Sequence, residues 1–491
     1  MKKIILSLVI AVAFNAGTAE IPVRPEKLKF PKLQYEPPSG AKYRVQLKSG
    51  PVVFVVPNRE LPLVSVSIMV RTGQYNEPQG KAGVAGMTGY LLGKGGTKSR
   101  TAEELEERLA FLAAGLSSSV GATSGGVGVN TLSKDLDEGL AILREVLTTP
   151  RFQKSRFDLY QQQQLQGMKQ RNDDSKNIER RELLRLAYGP NFFRNVIPTK
   201  TSMESITVED LRAFHQAWFH PENFVVAVSG DFDRKAMVAK LETLFAKWPF
   251  KGKAAVSVPT NKRFAKPGIY VVDKDVNQGR VDIMLPGIHR DHPDFYAVQV
   301  MNDILGGGGF TSRITNRVRS DEGLAYSAYS YMPGGTYYPL LFVAGYQSKS
   351  ATVQYAAQIV LEEMRRITVE AVTDKEMVTA KSSYIQTFPQ TFETKGKVAA
   401  TFANEEFTGR GARNPAYYRE FRAKMAAVTK ADVQRVAKKY LTPNKVVILI
   451  VGDKDMILKG HPDHPVNLDS LARGGLKNVP LRDPFTLQPL K

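Results

Sequence analysis

Two segments of this 491-residue chain carry one pattern, and that repetition limits the fold more than any other feature. Residues 206–232 read ITVEDLRAFHQAWFHPENFVVAVSGDF, and residues 428–454 read VTKADVQRVAKKYLTPNKVVILIVGDK. Each is an amphipathic helix, a proline break, and an apolar strand closed by Gly-Asp. Thr207 matches Thr429, Asp210 matches Asp432, Pro221 matches Pro443, and Gly230-Asp231 matches Gly452-Asp453, each pair 222 residues apart. Agreement in pattern and spacing marks an internal duplication. The chain is therefore expected to be α+β, with two duplicated domains, each a mostly antiparallel sheet packed with helices.

The rest of the chain divides around that repeat. Lys2 and Lys3, an apolar run over 4–14 and the small residues Gly17-Thr18-Ala19 form a signal peptide, with cleavage expected near Ala19. The run is too short to span a bilayer. The protein is thus expected to be exported, to the periplasm, without a transmembrane anchor. Residues 20–42 carry five prolines and read as an extended arm. The first domain is expected over 43–247, a lysine- and proline-rich linker over 248–267, the second domain over 268–456, and a proline-rich tail over 457–491. A capping box, Thr101-Ala-Glu-Glu104, opens one first-domain helix.

Composition excludes several chemistries. There is no cysteine, hence no disulfide framework, thiolate metal site or cysteine nucleophile. The net charge is +20, or +18 once Lys2 and Lys3 are removed, but the basic residues are scattered without a run of five. A solvated basic surface, with no nucleic-acid partner, is the plain reading; a polyanion binder is the weaker one. His289 and His292 lie in a loop and His461 and His464 in the proline-rich tail, so no histidine pair stands at one-turn spacing on an uninterrupted helix with a carboxylate beside it, which a catalytic zinc site needs. There is no Gly-x-Ser-x-Gly elbow, and Gly306, Gly307, Gly308 and Gly309 lack the Gly-Lys-Ser/Thr ending of a phosphate loop.

Residues 305–329, LGGGGFTSRITNRVRSDEGLAYSAY, hold the best candidate site. The four glycines permit a sharp turn or close backbone approach. Thr311 or Ser312 can cap a helix in which Ile314 and Val318 form a buried stripe. Gly323 stops that helix, and a strand follows, with Leu324, Tyr326 and Ala328 on one face. A tight turn brings Arg319 and Tyr326 to one spot; otherwise both are ordinary surface side chains.

Several motifs in order resemble the insulinase/pitrilysin family of zinc metallopeptidases, across about residues 43–454. They are LPLVSVSIMVRTG with GKAGVAG, TAEELEERLAFLAAG, LSKDLDEGLAIL, the two helix–proline–strand units, and HPDFYAVQVMNDILGGGGFTSRI through EGLAYSAYS. The resemblance implies a half-chamber of two domains. In active members a first-domain helix carries His-x-x-Glu-His, and a glutamate some seventy residues later completes the zinc site. Here the positions read Gly86, Gly89 and Tyr90, with Gln166 or Gly167 at the distal ligand. The resemblance thus implies a chain with no zinc ligand or general base of its own. Active members also use an arginine and a tyrosine, in the context R-x-x-x-G-L-x-Y, toward the substrate and the tetrahedral intermediate. Arg319 and Tyr326 stand in that context. Some family chains work in pairs, one carrying zinc and the other this arginine and tyrosine. The resemblance therefore implies a non-catalytic, substrate-binding subunit, with zinc in an insulinase-like paralogue as partner and an unfolded peptide as substrate. The alternative is a stand-alone peptide-binding or scaffold protein of the cell envelope. The family's substrate-pairing strand edge falls near 116–120, where Ser117 and Ser118 replace the usual Asn-Ala. By the 222-residue offset, Gly86 to Tyr90 correspond to Gly308 to Ser312.

Overall fold

The computed structural model describes Arg24, Leu28, residues 33–260 and residues 263–490. The expected signal peptide and most of the expected arm lie outside the described residues. The chain divides into two units, Met1–Glu36 and Pro37–Lys491, and the second carries all of the sheet structure among the described residues.

Twelve strands build two six-stranded sheets. The first contains β1 (Arg44–Gln46), β2 (Val52–Pro57), β3 (Leu63–Val70), β4 (Gly115–Val120), β5 (Gly125–Leu132) and β6 (Phe224–Gly230), in the order β1-β2-β6-β3-β5-β4. The second contains β7 (Gly268–Asp273), β8 (Gln278–Pro286), β9 (Ala325–Tyr331), β10 (Leu341–Lys349), β11 (Val447–Gly452) and β12 (Leu476–Asn478), in the order β12-β7-β11-β8-β10-β9. The sheets are mixed. β2 runs parallel to β6 and β7 parallel to β11, whereas β3–β5, β3–β6, β8–β10 and β8–β11 are antiparallel. Five strands of each sheet follow the same order. Only the outer strands differ in origin: β1 precedes its sheet in the chain, and β12 comes from the C-terminal tail.

The duplicated segments fold alike because their local signals agree. Thr207 and Asp210 form a capping box at helix Val208–Trp218, and Thr429 and Asp432 form the same box at helix Lys430–Tyr440. Pro221 and Pro443 open the short turns after these helices, and β6 and β11 come next. All six residues of β11 and the first five of β6 are buried. An apolar run of that kind needs cover on both faces.

Each half covers one face with its own helices. The other face is covered by exchange. Helix Ser175–Tyr188, from the first half, packs on β8 and β11 of the second sheet. Helix Lys395–Phe407, from the second half, packs on β2, β3 and β6 of the first. The two helices stand about one repeat offset apart in the chain, so they are the same element used reciprocally. Ile178, Ala187 and Tyr188 join Met284, Val447, Leu449 and Val451 in one apolar cluster. On the other side Phe402 stacks on Phe54, with centroids 6.3 Å apart, and Arg44 holds Glu406 at 2.9 Å. This exchange is why residues 37–491 are one compact unit although the sequence shows two domains.

Two sequence expectations are corrected here. The element after β8, equivalent to helix Val84–Lys94 after β3, is helix Phe295–Asn302 continuing through the π-helical turn Asp303–Gly307. The counterpart of Gly86 to Tyr90 therefore lies before Gly308, and the fixed 222-residue offset fails because the intervening loops differ in length. The strand after Arg319 also breaks its alternation. Tyr346 faces Ala328 and Ser348 faces Ala325, so β9 holds one extra residue against β10. That bulge buries Ala325 and Ala328 together and turns Tyr326 outward, away from the face of Ala328.

Candidate functional site

The helix Val84–Lys94 begins on Gly83, whose φ of 107° is left-handed. The Glu77 carboxylate accepts the Gly83 and Ala85 N–H groups at 3.0 Å each. Burial pushes the Glu77 carboxyl up to about 7 despite those two bonds. Glu77 is thereby a helix cap and not a free acid. Further along, the helix lies directly on the edge strand β4. A Cβ on Gly89 would collide with the Val120 amide nitrogen and sit 2.6 Å from the Ser119 carbonyl carbon. A Cβ on Gly93 would sit 2.7 Å from Ser118 Oγ. The Ser118 hydroxyl donates to the Gly89 carbonyl at 2.6 Å, fixing this approach.

This geometry decides what the region can hold. Gly86 and Gly89 offer no side-chain donor, and Gly89 has no room for one. The Tyr90 ring lies against Tyr160, with centroids 4.7 Å apart. Burial, and then the neighbouring Tyr90, push the Tyr160 phenol above its ordinary value. Gly86 also faces the Tyr160 hydroxyl, 3.9 Å from where its Cβ would be. Tyr160 is thus the residue of helix Lys154–Lys169 that meets these positions. Gln166 lies six residues further along and is exposed, and Gly167 has open space beside it. Zinc needs three or four nitrogen, sulfur or carboxylate ligands, and two glycines and two stacked phenols do not fit it. Among the described residues no group of three histidine, aspartate or glutamate side chains converges elsewhere. His215 is a core residue: burial brings its imidazole down to about 4, and Nε2 bonds the Leu147 carbonyl at 2.9 Å.

The second half holds a different arrangement. Helix Phe295–Asn302 runs into two π-helical stretches, Asp303–Gly307 and Asn316–Asp321, separated by the short helix Arg313–Thr315. Such wide turns recur at functional sites because they redirect side chains. Gly306 is buried against the edge strand β9, and a Cβ there would collide with the Ser330 amide and lie 2.6 Å from Ser330 Oγ. Gly307 and Gly308 are tight against Asn302 and Asp303, while Gly309, at φ 58°, has open space around it. The Ser330 hydroxyl donates to Asn302 Oδ1 at 2.9 Å and ties the glycine segment to the strand. Ile314 and Val318 are buried as the spacing suggests. Arg313 is bonded to Glu376 at 2.6 Å and Arg317 to Glu363 at 2.9 Å.

Arg319 differs from both. Among the described residues it has no carboxylate and no hydrogen-bond partner. Its guanidinium carbon lies 4.5 Å from the Tyr326 ring centroid and 4.5 Å from that of Phe310. The cation is held between two aromatic rings, each contact worth roughly 0.5–1 kcal/mol at an exposed site. Tyr326 is 84% exposed and Phe310 65% exposed. The structure therefore brings Arg319 and Tyr326 together and adds Phe310. The one signal for Phe310 was an aromatic directly after four glycines, outside any apolar period. A charged fork and a phenol, side by side and unpaired, can donate to a carbonyl oxygen or to an oxyanion. They stand on and beside β9, the edge of the second sheet. The equivalent edge of the first sheet is β4, where Ser117 and Ser118 lie.

A two-domain α+β chain of this topology, with a glycine-bearing helix on one sheet edge and a presented arginine beside the other, defines the class of protein, and the comparisons name its family. Residues 53–197 match the family described as Insulinase (Peptidase family M16), and residues 205–384 match the Peptidase M16 inactive domain. The chain belongs to the insulinase family. It is 27% identical over 342 residues to an uncharacterized zinc protease of Mycobacterium leprae, spanning 67% of this chain and 74% of that one. It is 25% identical over 362 residues to the non-peptidase homolog YmxG of Helicobacter pylori, spanning 73% of this chain and 82% of that one. The crystal structure of a peptidase M16 inactive domain from Pseudomonas fluorescens superposes with a TM-score of 0.74 at 23% identity, covering 83% of this chain and 97% of that one. That last likeness speaks for the fold alone.

Proposed function

We propose that this protein is the non-catalytic, substrate-binding subunit of a heterodimeric insulinase-like peptidase acting on peptides outside the cytoplasm. The observation that carries the reading is the Arg319 guanidinium, held between Phe310 and Tyr326 with no carboxylate to neutralise it. A surface arginine flanked by two aromatic rings and left without a carboxylate suits a group that meets negative charge on a ligand. In the proposed complex, a paralogue bearing His-x-x-Glu-His supplies zinc and the general base. Arg319 and Tyr326 then donate to the scissile carbonyl as charge develops on it. Gly86, Gly89, Tyr90 and Tyr160 take no part in the chemistry. Export through the N-terminal signal segment places the complex in the periplasm. Among the described residues no helix is long and apolar enough to cross a membrane.

The test is reconstitution. The purified chain, alone and mixed with a zinc-bearing insulinase-like paralogue from the same source, is assayed for zinc and for cleavage of unfolded peptides. Activity is expected in the mixture, with zinc in the paralogue only. A chain that stays a monomer or homodimer, binds peptide and gains no cleavage from the paralogue supports the alternative, a stand-alone peptide-binding scaffold. That alternative is favoured by the relative described as a non-peptidase homolog.

A further inference from the structure

A second site lies away from the Arg319 cluster, in a cavity of about 380 Å³ lined by five arginines. Arg180, Arg181 and Arg185 come from one face of the exchanged helix Ser175–Tyr188. Arg194 comes from the loop after that helix, and Arg482 from the C-terminal tail. No carboxylate lines the cavity. One stands behind it: the buried Glu182, which takes Arg482 at 2.8 Å and 3.2 Å, Arg181 at 3.0 Å and Arg185 at 3.9 Å. Three guanidinium groups therefore share one negative charge. Arg194 has only the Tyr338 hydroxyl, at 3.3 Å, and Arg180 has no hydrogen-bond or ion-pair partner among the described residues.

Five charges of one sign against a single carboxylate repel one another, and the partial burial of Arg181, Arg185, Arg194 and Arg482 removes water that would screen them, with the exposed Arg180 at the rim. Arg185 registers this: burial, then Arg482, pull its guanidinium below the ordinary value. The arrangement is nevertheless built. Asn195 donates to the Leu184 and Gly189 carbonyls at 2.9 Å and 2.6 Å, holding the loop that presents Arg194. Asn172 donates to the Arg482 carbonyl at 2.7 Å, and Arg171 to the Pro484 carbonyl at 2.9 Å, holding the tail. The cavity volume is that of a small-molecule site and not of a protein groove. Arginine forks match phosphate oxygens in pairs.

We propose that this cavity binds a small, multiply charged phosphate oxyanion, which ties the tail and the exchanged helix together. The anion supplies the negative charge that Arg180 and Arg194 lack. Binding to the folded state alone raises the unfolding temperature by mass action.

The experiment is calorimetric titration of the full-length mature chain with inorganic tripolyphosphate, orthophosphate and citrate at constant physiological ionic strength, with thermal unfolding in parallel. The variant is Arg180→Gln/Arg194→Gln, which breaks no ion pair and leaves the Glu182 cluster intact. Tripolyphosphate is expected to bind one site in the micromolar range, more tightly than citrate, and to raise the unfolding temperature. The double variant is expected to weaken it by about tenfold or more while unfolding, without ligand, at a temperature no lower than the parent's, since two repelling charges are gone. Citrate binding more tightly than tripolyphosphate overturns the phosphate class. Undiminished binding by the folded variant overturns the site. Affinity that vanishes at physiological salt also overturns it, as mere screening of surface charge.

Discussion

Gly89 leaves less room for a side chain than any other position of the motif that the family resemblance places on helix Val84–Lys94. At Gly89 the helix Val84–Lys94 lies so close to β4 that a Cβ would collide with the Val120 amide nitrogen, and the Ser118 hydroxyl donates to the Gly89 carbonyl at 2.6 Å. Restoring the motif by Gly86→His, Gly89→Glu and Tyr90→His is therefore expected to yield no zinc site. Gly89→Glu alone should destabilise the protein by several kcal/mol, because backbone must move to admit the Cβ. Denaturant unfolding of Gly89→Ala, the mildest probe, measures this; an unchanged midpoint would refute the close packing. At the second site, Phe310→Ala removes one of the two rings around Arg319. Stability should change little, since Phe310 is largely exposed. In the reconstituted complex kcat/KM should fall by roughly two- to fivefold, from the loss of one cation–π contact.

At the scale of elements, the exchanged helices hold the two halves together. Ile178 is fully buried between helix Ser175–Tyr188 and the second sheet. Ile178→Ala is expected to cost about 2–5 kcal/mol, and unfolding should remain a single transition because the exchange couples the halves. Separate transitions for the two halves would contradict that coupling. The same junction titrates. Glu179 on this helix faces Asp282 on β8, with Arg280, Lys176, Asp174 and the Tyr329 phenol around them. Burial pushes Glu179 up to about 7, with Arg280 opposing, and burial and then Glu179 push Asp282 upward. A carboxyl whose folded value exceeds its unfolded one of about 4.3 binds more protons when folded, so its contribution weakens as pH rises. It is most favourable below about pH 4, declines through pH 7 and is level above. Glu179→Gln, which cannot ionise, should therefore gain stability relative to the parent between pH 5 and pH 8, by an amount on the order of 1 kcal/mol. Thermal unfolding of both proteins across that range checks the sign; a relative gain toward low pH would contradict it.

The whole molecule was legible in sequence to the extent that its signals are local. The capping boxes at Thr207 and Thr429, the proline breaks and the apolar strands lie within short windows, so the duplication could be read directly. The exchange of helices could not. Ser175–Tyr188 and Lys395–Phe407 are rich in charge, and each finds its apolar partner on a sheet from the other half. Nothing local announces that. The site was legible in part. Arg319 and Tyr326 followed from their spacing and context, whereas the β9 bulge that exposes Tyr326, the π-helical turns and Phe310 depend on tertiary packing. The contact of Tyr160 with Tyr90 likewise depends on how two helices pack. At this scale the duplication has left two halves with different fates. In both halves a glycine lets a helix meet the edge strand, Gly89 on β4 and Gly306 on β9, and the second half alone presents an arginine and an open phenol there.

The central claim is that Arg319 serves a centre completed by another chain. The direct measurement is kcat/KM for an unfolded peptide in the reconstituted complex, comparing the parent with Arg319→Ala and Tyr326→Phe. Zinc content and complex stability are held equal between them. The account predicts a loss of about 10²–10³-fold for Arg319→Ala, a smaller loss for Tyr326→Phe, and no activity of this chain alone. Full activity in the complex carrying Arg319→Ala, or zinc-dependent cleavage by the isolated chain, would contradict it.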